Sequence, residues 1–505
     1  MRISIFGYGV TTTPLVEYLN AQGHSLRIFD DKFQAASQDE RGNALLPSQD
    51  FDPAQSDMEI LSPGIPPTHS LVRAARHLIS EYDYFENLLE SRDEKPYIVW
   101  ISGTNGKTTT TEMTTRLLEP FGACAGGNIG TPLAKLYTQA SAKVWVLETS
   151  SFSLHYTKRA TPRIYALLPV REDHITWHGS FEAYVEDKLS PLARMGQEDC
   201  ALIPSELATH KLVRAFQGRL IAYDSSYDLS KKLALPLESV RFKEPFLLDA
   251  LLALSVAKLG FDTLDIARLN SFKLGAHRIA EFYDAQGRLW VDDSKGTNVD
   301  ATIEAIRRYE DKRVLVILGG DDKGANLTPL FEFMRGKRIE IVSIGRNEPR
   351  LIALAKEYGL RLVPKGDLEN AMRYIHARRG VAGNEPVIVE SRAQKSGGSK
   401  DFHSSATYAN KKTCGGDSHL KGGNAWVNDE SCEGVDSQHK GNAPDSLGAS
   451  KDSHQGNSAG VNQCGGGDLC EEIDVVLLSP AAASLDQFSS YKARGELFTK
   501  LALNG

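Results

Sequence analysis

Tyr97-Ile98-Val99-Trp100-Ile101-Ser102-Gly103-Thr104-Asn105-Gly106-Lys107-Thr108-Thr109 decides how this chain is read. An apolar run of strand length enters a glycine-rich turn, and Thr110 to Leu118 then carries helical spacing. In a strand-loop-helix, glycines let backbone N–H groups close around phosphate oxygens, and the helix N-terminus adds positive potential. Lys107 then reaches the outer phosphates and the Thr108 hydroxyl can ligate Mg²⁺. The spacing is one residue shorter than the eight-residue phosphate-loop pattern, so Ser102 stands where its first glycine would be. With its flanking elements, the stretch Gly103, Thr104, Asn105, Gly106, Lys107, Thr108, Thr109 reads as a nucleoside triphosphate site and not as a chance glycine turn.

Downstream of the loop lie further candidates. Gly126-Gly127-Asn128-Ile129-Gly130 is a turn whose Asn128 could touch substrate or simply stabilise the chain reversal. Val144-Trp145-Val146-Leu147 is a buried-strand run ending in Glu148, and a carboxylate at the carboxyl end of a strand near a phosphate loop is well placed to hold Mg²⁺. After the strand-like Ile164 to Leu168 come Glu172-Asp173-His174 and, past a helix-like segment, Lys188. His174 and His178 are four apart, which makes zinc conceivable, but no third soft ligand has suitable spacing. Taken alone, Lys188 reads as a solvated helix lysine.

Upstream, Ile3-Ser4-Ile5-Phe6 leads into Gly7-Tyr8-Gly9-Val10-Thr11-Thr12, a helix-spaced segment to Asn20, and a second strand at Leu26 to Phe29 that ends in Asp30-Asp31. This is a βαβ unit with the outline of a dinucleotide site. Thr12 replaces the third glycine of the fingerprint, so another diphosphate-containing ligand is favoured over NAD(P), with a bland α/β turn as the alternative. Met58 to Ile65 is a strand running into Ser62-Pro63-Gly64. Towards the C-terminus, strands at Leu289–Val291, Val314–Leu318 and Asp474–Leu478 each run into a polar or small-residue loop. In a parallel sheet the three loops would share one edge.

Residues 391–472 differ in kind. They are rich in Gly, Ser, Asn, Asp and Lys and nearly free of branched aliphatic residues, a composition that cannot offset its conformational entropy, so a disordered insertion is expected. Cys414, Cys432, Cys464 and Cys470 with nearby histidines match no compact metal-finger spacing. The remaining chain is ordinary globular sequence, and 505 residues suggest about three α/β domains, with boundaries expected at 1–90, 91–272 and 273–505. A formal charge of −7 gives no reason to expect nucleic acid. The longest apolar helical stretch, Phe246 to Leu259, is shorter than a membrane span. With no signal peptide at Met1 and isolated Cys124 and Cys200, a cytoplasmic setting is expected.

Together these motifs resemble the Mur ligase family of ATP-dependent amide-forming enzymes. The resemblance rests on 103–109, Gly127-Asn128-Ile129-Gly130, Glu148 with Ser150-Ser151-Phe152, Asp173-His174, Lys188, His277-Arg278, Asp293-Ser294-Lys295-Gly296-Thr297-Asn298, and Leu478-Ser479-Pro480 with Ala483 to Phe488. The last two are associated with the branch that adds D-glutamate. The family implies a Rossmann-like N-terminal domain, a central P-loop ATPase-type parallel sheet and a C-terminal Rossmann-like domain, here carrying the insertion. It implies UDP-N-acetylmuramoyl-L-alanine, D-glutamate and ATP as substrates, a role in peptidoglycan synthesis, and a monomer.

By the same resemblance Gly9, Val10, Thr11, Asp30, Ser62, Pro63, Gly64 and Asn128 would contact the UDP-linked substrate. Asp249, Asp293 and Lys295 would join the loop around ATP, and Lys107, His174, Lys188 and Arg278 would be catalytic. Thr108, Glu148, His174 and Lys188, the last as a carbamate, would hold Mg²⁺, two ions in all. Thr297, Lys323, Ser484, Leu485 and Tyr491 would take the amino acid. The chain departs from the family at Pro245-Phe246 and Asp249-Ala250, where His-Asn and then Asn-Ala are usual before the adenine. Ser153 stands for a glutamine and Tyr491 for a phenylalanine. Other readings are a related ligase adding another amino acid, such as a polyglutamylating folate enzyme, and a non-catalytic nucleotide-binding scaffold.

Overall fold

The computed structural model describes residues 1–378 and 473–504. The expected insertion at 391–472 lies outside the described residues. Among the described residues, three six-stranded sheets follow one another along the chain. The first contains β1 (Ile3–Phe6), β2 (Arg27–Phe29), β3 (Ser37–Gln38), β4 (Ala44–Leu46), β5 (Met58–Leu61) and β6 (Leu78–Ile79) in the order β3-β4-β2-β1-β5-β6. All its pairings are parallel except β3 with β4.

The second sheet contains β7 (Tyr97–Ser102), β8 (Ala123–Gly127), β9 (Val144–Glu148), β10 (Ile164–Leu167), β11 (Cys200–Pro204) and β12 (Arg219–Tyr223), ordered β12-β11-β10-β7-β9-β8 and wholly parallel. Its strands read as continuous apolar runs because both faces are covered. On one face Val99, Ile101, Val146 and Ile164 pack with Met113 and Leu117 of the helix Lys107–Leu118 and with Leu251 and Leu254 of the helix Phe246–Phe261. On the other, Trp100, Trp145, Leu147 and Tyr165 join Phe85, Leu133 and Leu189. Truncating a fully buried leucine such as Leu251 would cost about 2–5 kcal/mol in lost transfer energy plus the cavity left behind.

The third sheet contains β13 (Ala280–Tyr283), β14 (Leu289–Asp292), β15 (Val314–Leu318), β16 (Ile339–Ile344), β17 (Arg361–Gly366) and β18 (Val475–Leu478), ordered β13-β14-β18-β15-β16-β17. Among the described strands only β13 runs antiparallel. β18 therefore sits between β14 and β15, and the loops after these three strands stand side by side at one edge, as their apolar-run-then-polar-loop pattern predicts.

The same rule positions the phosphate loop. It leaves β7 between β9 and β10, so the ends of its neighbours, Glu148 and Leu168, flank it. The helix after the loop begins at Lys107, three residues before the helical spacing becomes visible in sequence. Among the described residues no helix is long and apolar enough to cross a membrane.

Candidate active site

Two glycines shape the loop. Gly103 has φ +144°, and a Cβ there would stand 2.5 Å from the Cβ of Leu168. Gly106, at φ +82°, caps the helix Lys107–Leu118, and a Cβ would strike the Asp249 carboxylate and come within 2.6 Å of Leu168 Cδ2. Only glycine lets the chain turn here without displacing both neighbours. Ser102 Oγ donates to Thr149 O at 2.9 Å, and the Thr104 hydroxyl accepts from Arg171 N–H at 2.9 Å. Lys107 Nζ donates to Thr104 O at 2.8 Å, while Thr108 is half-buried in the first turn. Asp249 lies between the helices Lys107–Leu118 and Phe246–Phe261, accepts from Thr110 Oγ1 at 3.0 Å, and is pushed up to about 7 by burial.

Glu148 ends β9 and is almost fully enclosed. Its Oε1 accepts from Asn128 Nδ2 at 3.0 Å, whereas Oε2 is buried with no partner. Asn128 also donates its backbone N–H to Glu148 O at 2.9 Å, so the turn after β8 is tied to the end of β9 twice over.

Lys188 overturns its reading as a solvated lysine. It lies within the helix Phe181–Leu189, is 1% exposed, and donates from Nζ to Gly103 O at 2.8 Å. Its ammonium also sits 4.7 Å from the centre of the Tyr184 ring. Burial, reinforced by the charge of Lys107, holds its amine well below the ordinary lysine value.

His174 adopts a left-handed conformation at φ 54° just before the short helix Ile175–His178, with its ring 4.7 Å from that of Phe152. His178 is committed elsewhere: Nδ1 pairs with Asp187 at 2.8 Å and Nε2 with Ser151 Oγ at 3.0 Å, so neither ring nitrogen is left for zinc. His155 shares the same carboxylate at 2.9 Å.

The third sheet reaches the loop directly. Asn298 Nδ2 donates to Asn105 Oδ1 at 2.9 Å, and Asn105 Nδ2 donates back to Asn298 Oδ1 at 3.2 Å and to Asp300 at 3.0 Å. Arg278 Nη1 donates to the Thr109 hydroxyl. Asp293, at the end of β14, accepts from Ser479 Oγ at 2.7 Å and is pushed up to about 7 by burial. Lys295 Nζ lies 5.2 Å from the Tyr491 ring centre, and Thr297 is exposed. Ser484 is buried, Leu485 is exposed, and Lys323 takes a left-handed φ of 49° in the neighbouring loop.

At the first sheet, Tyr8 N–H donates to Asp30 Oδ2 at 2.6 Å and Ser62 N–H to Phe6 O at 2.7 Å, which draws the glycine turn, the end of β2 and the loop after β5 together. Gly9, Val10 and Thr11 continue the turn, where Val10 is 65% exposed. The second sheet's Trp177 Nε1 donates to Gly64 O at 3.1 Å, and Tyr156 OH to Ile65 O at 2.7 Å. Thr11, Pro63 and Asn128, far apart in sequence, line one cleft.

Residues 101–234 match the family model of the Mur ligase middle domain. The chain is 47% identical over 361 residues to UDP-N-acetylmuramoylalanine--D-glutamate ligase of Campylobacter jejuni (strain RM1221), an alignment covering 72% of this chain and 87% of that protein. The enzyme of the same name from Helicobacter pylori (strain J99) is 46% identical over 385 residues, covering 74% and 91%. A more distant one from Petrotoga mobilis is 27% identical over 408 residues, covering 74% and 91%.

The chain belongs to the Mur ligase family.

Several side chains of this Mur ligase escape sequence reading. The Asn105–Asn298 pair joins residues from two sheets, and no local pattern announces it. Asp187, which holds two histidines beside Lys188, looks like any helix carboxylate. A signal for Lys188 was present in its spacing from Tyr184: four residues apart on one helix places the ring and the ammonium on one face.

Proposed function

We propose that this chain is an ATP-dependent ligase that joins D-glutamate to UDP-N-acetylmuramoyl-L-alanine in peptidoglycan precursor synthesis. The observation that carries the reading is its 47% identity to a protein of that name across 87% of that protein's length. The geometry is consistent with it. Residues 1–90 would hold the UDP-linked substrate, 91–272 ATP, and 273–505 the amino acid, through the residues assigned above. A cytoplasmic monomer is the state proposed.

A carboxylate is a poor acyl donor. Its oxygen attacks the γ-phosphorus of ATP, ADP leaves, and the resulting acyl phosphate carries a good leaving group. The amine of D-glutamate then attacks the carbonyl carbon, phosphate departs and the amine gives up a proton. The first step brings two anions together, which Lys107 and Arg278 offset. Closure of the third sheet over the loop, held by Asn298 and Asp300 on Asn105, keeps water from the acyl phosphate.

The donor set fits Mg²⁺. The Thr108 hydroxyl and the unpartnered Glu148 Oε2 are hard oxygen ligands. With His174 and a carbamylated Lys188 they would hold two ions, whose charge would offset that of the phosphate. A buried amine kept neutral is the form that adds carbon dioxide. Carbamylation would make Lys188 an anionic ligand.

The test is mass spectrometry of the UDP-linked product after incubation with ATP, Mg²⁺ and D-glutamate. A gain of one glutamyl residue is expected. Unchanged substrate under conditions where ATP binds would contradict the reading.

A further inference from the structure

Glu81 opens the helix Glu81–Glu90, and its place is fixed by its neighbours. The preceding Ser80 caps the helix by accepting from Asp83 N–H at 3.0 Å, and Thr157 donates to the same hydroxyl at 3.1 Å. Glu81 Oε1 is enclosed and has no hydrogen-bond partner. An unpaired buried carboxyl oxygen is costly, so its persistence calls for a reason. The side chain lines a cleft between the loops of the first sheet, at Thr11 and Pro63, and Asn128 with the helix Ser151–Tyr156, through Ser153 and Tyr156, beside the second. Of the residues lining that cleft, Glu81 is the sole carboxyl, and no lysine or arginine faces it.

We propose that Glu81 is a substrate-binding residue, whose carboxylic acid donates a hydrogen bond to an acceptor oxygen of the UDP-linked substrate as that molecule crosses from the first sheet to the phosphate loop. The inference rests on the function proposed above and deepens it. A substrate whose diphosphate is held at the first sheet and whose carboxylate must meet the γ-phosphate at Lys107 has to span this junction. Among the groups it can bring there, phosphate and amide carbonyl oxygens are acceptors. A carboxylate would repel them, whereas a protonated acid offers the donor they need.

Burial supports that protonation state, pushing Glu81 up to about 8. The titratable groups around it do not compete. Tyr82 and Tyr156 are raised by burial and stay neutral. Glu148 accepts from Asn128 through Oε1, Glu59 on β5 accepts from His77 N–H at 2.6 Å, and Lys135 on the adjoining helix Leu133–Thr138 is exposed to solvent.

The experiment is calorimetric binding of UDP-N-acetylmuramoyl-L-alanine between pH 6.5 and 9.5 with neither ATP nor amino acid present. In the unaltered protein, Kd should be flat below about pH 8 and weaken up to about tenfold per pH unit above it, as the donor loses its proton. Glu81→Gln keeps a donor, so it should bind within about threefold and without the alkaline loss, while Glu81→Ala should bind about tenfold more weakly than the unaltered protein below about pH 8, with a Kd that does not change with pH. Binding that strengthens with pH, or a Glu81→Gln as weak as Glu81→Ala, would assign the ionised carboxylate instead and overturn the proposal. So would a pH-independent Kd in the unaltered protein, which needs no variant to fold. Failure of the substrate to bind at any pH would defeat the proposed function itself.

Discussion

Asn298→Ser separates two tasks that one side chain performs. Asn298 Oδ1 caps the helix Val299–Arg307 by accepting from Ala301 N–H at 3.0 Å, and the same amide exchanges two hydrogen bonds with Asn105 of the phosphate loop. Serine is an equally good cap, so the helix should keep its stability to within a few tenths of a kcal/mol. The reciprocal amide pair is lost. At about 0.5–1.5 kcal/mol for each bond, and with Asn105 still held by Asp300, the deficit should be about 1–2 kcal/mol. If the pair holds the loop in its reactive arrangement, kcat/KM for ATP should fall about 5- to 30-fold, and the loss of stability should not exceed the same deficit of about 1–2 kcal/mol. Asn298→Ala should lose activity to the same extent and, in addition, about 1 kcal/mol of stability. The assay is steady-state ATP turnover for Asn105→Ala, Asn298→Ser and the double variant. A coupling energy near 1 kcal/mol is expected. Strictly additive losses, or an Asn298→Ser enzyme with unaltered kcat/KM, would refute the clasp.

Gly106→Ala should abolish ATP binding, measured by equilibrium titration, while UDP-substrate binding persists, because the added methyl collides with Asp249 and Leu168 only at the loop. Lys188→Ala should lose most turnover; a near-normal rate would remove the carbamate assignment. Asp293 is raised to about 7 by burial, above the roughly 3.9 of an unfolded aspartate, so the folded state holds an extra proton between those values. Its stabilisation is therefore complete below about pH 4 and lost as pH rises through about 7. Tm plotted against pH should flatten over that window in Asp293→Asn.

The fold was legible because strands of parallel sheets announce themselves as apolar runs that end in small or polar residues, as at Tyr97–Ser102, Val314–Leu318 and Val475–Leu478. Loops that follow adjacent parallel strands must meet, which is why the residues after β14, β15 and β18 could be grouped before their pairing was known. Burial was less legible. Lys188 shows only part of its burial in sequence: Tyr184 stands four residues earlier on its own helix, but the backbone of Gly103 that closes over it comes from another element. Glu81 and Asn298 depend likewise on surfaces contributed by distant segments. The helix start at Lys107 was placed late because Thr108 and Thr109 carry no apolar periodicity; what opens that helix is the left-handed turn at Gly106.

The most direct test of the central claim is phosphate release from ATP in the presence of UDP-N-acetylmuramoyl-L-alanine, Mg²⁺ and a panel of amino acids, each component omitted in turn. Release that requires D-glutamate and stops when any one component is withheld is the predicted result. Release driven by a different amino acid, or none with any of them, would contradict it.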